Sequence, residues 1–263
     1  MKKTIFLIGI LTIVFGFKFS EDKPKEYKLV WSDEFNYSGE IDKSKWFMET
    51  EAPQNGSWYN GELQHYTDRP DNAFVSDGTL KIVAKKERFH STGTDKEFTS
   101  ARLNSKFHFT YGKVEVRAKL PRMQGTWPAI WALGSDFKSN PWPRCGEIDI
   151  MEQLFENHNM VQSAVHVAAR YGDRTLVGKV DVSDVTENFH VYGLEWDEEK
   201  LVFSVDGKPY LTYKPENRND DFWPFFRDQF LLLNVAVGGN LGGSVDPNFT
   251  QDRMEVDYVR VYQ

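Results

Sequence analysis

Apolar residues at every second position, interrupted at short intervals by tight-turn pairs, restrict this chain to sheet. Leu80, Ile82 and Ala84, then Val114, Val116 and Ala118, then Met254, Val256 and Tyr258 alternate mostly with polar residues. That is the period of strands with one face in a core. Asp77-Gly78, Tyr111-Gly112 and Asp206-Gly207 punctuate them, and the last, set between two strand-like runs, predicts a hairpin. Long stripes of period 3.6 are absent, and only Asp181 to Asn188 has a pattern that could wind a helical turn. The expected fold is an all-β sandwich of jelly-roll type, with a concave sheet face forming a cleft for an extended polymer. The run from Met254 to Tyr262 is expected to pair with a strand around Leu29 to Phe35.

Lys2 and Lys3 precede an apolar run from Ile5 to Phe17, after which polar residues take over. The profile is that of a signal peptide, the alternative being a buried N-terminal strand. Residues 1–20 are therefore read as a signal peptide, 21–27 as a short linker and 28–263 as one domain. The run is shorter than the roughly 20 residues of a membrane span, so the mature protein is expected to be secreted, periplasmic or extracellular, without a span and as a monomer. Cys145 is the only cysteine, which excludes an internal disulfide and leaves stability to packing or a metal. The net charge of −7 argues against nucleic acid and favours a neutral over a strongly anionic polymer.

The segment Gly146-Glu147-Ile148-Asp149-Ile150-Met151-Glu152-Gln153 places three acids in what otherwise reads as a strand. Glu147 and Asp149 share a face, with Ile148 and Ile150 on the other. Glu152 has the wrong parity and would point into the core, at a large desolvation cost. A one-residue bulge at Ile150-Met151 would return it to the face of the other two. Three crowded carboxylates then require that some proton be retained, which is what acid catalysis needs. A retaining glycosidase uses one ionised and one protonated carboxyl roughly 5 to 5.5 Å apart. The Cα atoms of Glu147 and Glu152 should lie about 13 Å apart along a bulged strand, so their side chains must lean together. The alternative is an exposed acidic strand face. Trp127 and Trp131, four apart, would share a face and offer flat rings to sugar, or else pack in the core. Trp142, in a Pro-bounded loop, is a further sugar-contact candidate.

Met123-Gln124-Gly125-Thr126-Trp127-Pro128-Ala129-Ile130-Trp131 upstream of the acid motif, with Glu62-Leu63-Gln64, Asp33-Glu34-Phe35, Val237-Gly238-Gly239-Asn240 and Val256-Asp257-Tyr258-Val259-Arg260-Val261, resembles glycoside hydrolase family 16, in its laminarinase-like branch. The likeness spans roughly residues 28 to 263. It implies a concanavalin A-like jelly roll, with Glu147 as nucleophile, Asp149 assisting and Glu152 as acid/base. Met151 marks the bulged form of the motif, which Bacillus-type lichenases lack. Asn60, Glu62, Arg102 and His166 are implied sugar contacts, although Arg102 could be a surface charge and His166 a structural histidine. Leu241 stands where relatives often carry Trp.

The six histidines are scattered, and no cluster has zinc spacing. No cofactor is expected for the chemistry. Relatives often hold a structural Ca²⁺, and the matching positions are Glu34, the Gly78 carbonyl and Asp257, which could equally form a salt bridge or turn. The implied activity is endo-hydrolysis of β-1,3-glucan by double displacement, with mixed-linkage β-1,3-1,4-glucan as a second substrate. Agar- or carrageenan-type galactan hydrolases and non-catalytic β-glucan-binding modules of the same fold are the alternatives.

Overall fold

A computed structural model of the chain describes residues 26–91 and 94–263. The expected signal peptide and most of the linker lie outside the described residues. Two antiparallel-dominated sheets, of ten and seven strands, pack face to face as a sandwich. The seven strands of the cleft sheet are, in chain order, β1 (Trp46–Met48), β2 (Arg102–Phe109), β3 (Thr126–Gly134), β4 (Glu147–Leu154), β5 (Asn157–His166), β6 (Leu176–Asp181) and β7 (Gln229–Val237). Their spatial order is β6-β5-β4-β3-β7-β2-β1, which puts the acid strand between β5 and β3.

Alternation does what it predicts in most strands. Leu80, Ile82, Ala84, Val114, Val116 and Ala118 all lie in the core between the sheets. Asp206 and Gly207 take positive φ angles of 50° and 73° and join Leu201–Val205 to Lys208–Tyr213, a hairpin turn matched to strand twist. The strand Gln251–Tyr262 pairs with Leu29–Asp33, as the sequence suggested, and also lies between Gly112–Lys119 and Thr79–Ser91.

Two local expectations need correction. A bulge between Val256 and Tyr258 shifts the phase of the last strand, so that Val259 and Val261 are buried and Tyr258 is only half-buried. Asp181 closes β6, and the residues after it form a turn, not a helix, with the Glu187 and Asn188 amides on the Asp184 carbonyl. The one α-helix among the described residues is the short Gly239–Gly242. Cys145 is free and buried, and burial pushes its thiol up to about 12, so it serves as packing. Among the described residues no helix is long and apolar enough to cross a membrane.

Candidate active site

Strand register shows how three acids reach one face. Against β3, Glu147 lies opposite Leu133 and Asp149 opposite Trp131, but the next pairs are Met151 with Ile130 and Glu152 with Ala129. Ile150 is therefore the extra residue. Against β5, Asp149 pairs with Ala164 and Glu152 with Gln162, leaving Ile150 and Met151 across from Ser163 alone. Ile148, Ile150 and Met151 all enter the core. The bulge keeps these apolar side chains out of water and spares Glu152 the cost of following them.

The acids are tightly wired. His166 Nε2 is 3.1 Å from Asp149 Oδ2 and 3.7 Å from Glu147 Oε1, and its Nδ1 lies 3.2 Å from Thr175 Oγ1. Trp127 Nε1 donates to Glu152 Oε1 at 3.0 Å, and Gln162 Nε2 donates to Glu152 Oε2 at 3.0 Å. Burial first, and then the charge of Asp149, raise Glu147 and Glu152 together, so the group holds a proton into the neutral range. For Glu152 the Gln162 and Trp127 donors oppose this by favouring the ionised form, without undoing the rise. Burial would lower His166, but its hydrogen bond to Asp149 and the charges of Asp149, Glu147 and Glu152 carry it up to about 9. An imidazolium thus partly neutralises a doubly acidic wall.

The two tryptophans of β3 play different parts. Trp131 is half-exposed, with the Arg102 guanidinium 4.8 Å from its ring and its Nε1 donating to Asn234 Oδ1 at 2.8 Å. Asn234 Nδ2 donates to the Tyr66 hydroxyl at 3.0 Å, which donates to Glu62 Oε2 at 3.1 Å; Gln64 Nε2 donates to the same oxygen at 2.7 Å. This relay locks the ring plane. Trp127, by contrast, is only 9% exposed, packs beneath Gly239 and spends its N–H on Glu152. Trp127 is thus a mostly buried ring tied to the Glu152 carboxyl rather than an open platform. Trp142 is 47% exposed beside His166 and Tyr171, with ring centroids 5.9 and 5.7 Å away. Asn60 is exposed at a φ of 61°, and its carbonyl accepts the Asn240 amide at 3.1 Å. Leu241 brings no ring of its own to this loop; its carbonyl accepts the Phe155 amide at 3.1 Å, and the Phe155 ring lies against Gly243.

The family model for "Glycosyl hydrolases family 16" matches residues 60–260. The chain belongs to glycosyl hydrolase family 16. Its relatives in the family include a β-glucanase of Rhodothermus marinus, 40% identical over 279 residues that cover 100% of this chain and 95% of the relative. A glucan endo-1,3-β-glucosidase of Cryptopygus antarcticus is 36% identical, covering 88% of this chain and 90% of that protein. Among solved structures, a LamA variant of Zobellia galactanivorans in complex with laminaritriose and laminaritetraose has a TM-score of 0.84 and 46% identity, over 89% of this chain and 98% of that one. As a family 16 member the chain is a glycoside hydrolase with a jelly-roll fold.

The family's calcium positions also meet in space. Asp33, next to Glu34, lies opposite Val259, and Leu80, two residues after Gly78, lies opposite Val256, so Glu34 and Gly78 flank the bulge at Asp257. The Glu34 carboxylate is held by Arg260 Nε and Nη2 at 3.0 and 2.8 Å, and Asp257 Oδ2 by Arg117 Nη1 at 2.6 Å. The carboxylates already answer arginines. The oxygens left to offer a hard cation are Asp257 Oδ1 and the carbonyl of Gly78, which sits in a left-handed turn at φ 72°.

Gln162, Asn234 and Tyr66 lie outside the residues the sequence points to, and Gln64 enters there only as part of the Glu62-Leu63-Gln64 motif. Asn234 and Tyr66 are 168 positions apart, and only the strand order brings them together. A polar residue set among apolar neighbours, as Asn234 is between Leu233 and Val235 in β7, was the one available signal.

Proposed function

We propose that the chain is a secreted, retaining endo-β-1,3-glucanase, with Glu147 as nucleophile, Glu152 as acid/base and Asp149 as their electrostatic partner. The observation that carries this is the bulge at Ile150, which sets Glu152, with a donor on each oxygen, on the face of Glu147 and Asp149. Glu147 attacks the anomeric carbon while Glu152 gives its proton to the departing glycosidic oxygen, forming a glycosyl ester. Glu152, now ionised and supported by Trp127 and Gln162, takes a proton from water, which displaces Glu147 and restores the β configuration. His166 and Asp149 hold the charge balance while Glu147 changes state. Export, through residues 1–20, is part of this reading.

The cleft suits a long polymer. Register pairs align Phe47, Asn104, Leu232, Trp131, Asp149, Ala164 and Val177 in one row across the sheet. Seven strands at about 4.8 Å spacing give a floor about 29 Å wide. Phe47 and Val177, at the two edges, are 50% and 40% exposed. An internal stretch of glucan can therefore lie across the acids with sugars on both sides. Phe47→Ala is expected to lower kcat/KM on long β-1,3-oligosaccharides about five- to tenfold and to leave the shortest cleavable ones unchanged. Equal effects at all lengths would remove Phe47 from the cleft.

Reducing-end release from laminarin, barley glucan, agarose and carrageenan tests the whole reading. Laminarin is expected to be cut fastest and barley glucan second. Release from only the galactans, or binding without release, would overturn it. We also infer a structural Ca²⁺ at Glu34, Gly78 and Asp257. Dialysis against EGTA is expected to lower the melting temperature by several degrees, reversibly with Ca²⁺ and not Mg²⁺. Identical melting curves would reject the ion.

A further inference from the structure

The bulge that serves the cleft must be stabilised on its other face. Where Ile150 and Met151 stand across from Ser163 alone, one carbonyl of the pair loses its regular cross-strand partner. The Ile150 carbonyl instead accepts the Ser163 hydroxyl, Oγ to O 2.7 Å. Ser163 is fully buried, and its Oγ is also 2.5 Å from the Tyr210 hydroxyl. Its single proton is committed to Ile150, so Tyr210 is the donor in that second bond. Tyr210 belongs to Lys208–Tyr213 of the opposite, ten-stranded sheet. Burial pushes its hydroxyl up to about 12, so it remains a donor throughout the working range. A relay thus crosses the core from Tyr210 through Ser163 to the backbone beneath Glu152.

We propose that Ser163 and Tyr210 are positioning residues for the acid/base: by fixing the Ile150 carbonyl they hold the bulge that aims Glu152 at the leaving oxygen. Trp127 and Gln162 grip the carboxyl from the cleft side, and the relay grips the main chain from the core side. Neither residue touches substrate. Displacement of an acid by about 1 Å can cost up to about 10²-fold in rate, so a small loosening should be visible. The proposal rests on Glu152 being the acid/base.

The experiment compares two leaving groups in Ser163→Ala and Tyr210→Phe. On laminarin, whose sugar leaving group must be protonated, kcat is expected to fall about tenfold with KM within about twofold. The first-turnover burst of phenol from a dinitrophenyl β-glycoside, which departs without protonation, is expected to stay within about twofold of the unaltered protein. Glu152→Gln is the reference and should show the same contrast more strongly. If Glu152→Gln slows both leaving groups alike, the assignment of Glu152 fails. If it shows the contrast but the two variants slow both substrates equally, or neither, the relay has no positioning role. Tyr210→Phe removes one oxygen without changing shape, and it decides the matter by itself if Ser163→Ala does not fold.

Discussion

Glu147→Gln is expected to lower kcat on laminarin by about four orders of magnitude or more with an unchanged circular dichroism spectrum, since a neutral amide cannot form the glycosyl ester. Stereochemistry makes the assignment sharper. With Glu147→Ala and added azide, the anion enters from the side the carboxylate vacates and should yield an α-glycosyl azide; Glu152→Ala should yield the β product. Early products of the unaltered enzyme should carry the β configuration by NMR. Initial α-anomers, or the same azide product from both variants, would exclude Glu147 as nucleophile. Stability gives an independent check. Burial and the Asp149 charge raise Glu147, so its ionised form opposes folding once the pH exceeds the unfolded value. Glu147→Gln should therefore melt above the unaltered protein at neutral and alkaline pH.

The second large effect concerns the proton on Glu152. Burial and the Asp149 charge raise this carboxyl, together with Glu147, against the pull of Gln162 and Trp127. It must be protonated to act, so kcat/KM should fall as pH rises past the neutral range in which the coupled Glu147–Glu152 pair gives up its last proton. Glu152→Gln is expected to cost about 10² to 10⁴-fold on glucan and to erase that alkaline limb. Trp127→Phe removes a donor that favours the charged form, so the limb should move to higher pH. A limb that stays fixed in Trp127→Phe would mean that another group sets it.

Much of this was legible because strands obey parity. The placement of Glu147 and Asp149 on one face followed from their spacing, and the oddness of Glu152 demanded a bulge where Ile150 supplies one. The hairpin at Asp206-Gly207 was legible because its backbone angles suit few residue pairs. What parity cannot tell is which strand lies beside which. Trp127 has the parity of an open platform, yet Glu152, which pairs with Ala129 two residues along the same strand, reaches across and claims its N–H. Tyr258 has the parity of a core residue until the bulge at Asp257 shifts the phase. Gln162, Asn234 and Ser163 matter only through partners supplied by strand order, which no local window contains.

The strand Gln251–Tyr262 has a consequence for how the molecule is made. It sits inside the ten-stranded sheet, yet its neighbours Thr79–Ser91 and Gly112–Lys119 precede it by well over a hundred positions. Until it arrives, both present bare edges with unmatched amides and carbonyls. Contacts so distant along the chain make for slow assembly and leave a window in which those edges can capture another molecule. Refolding yield should therefore depend on protein concentration more steeply than native stability alone would suggest, and holding that window short is a task for whatever accompanies the nascent chain.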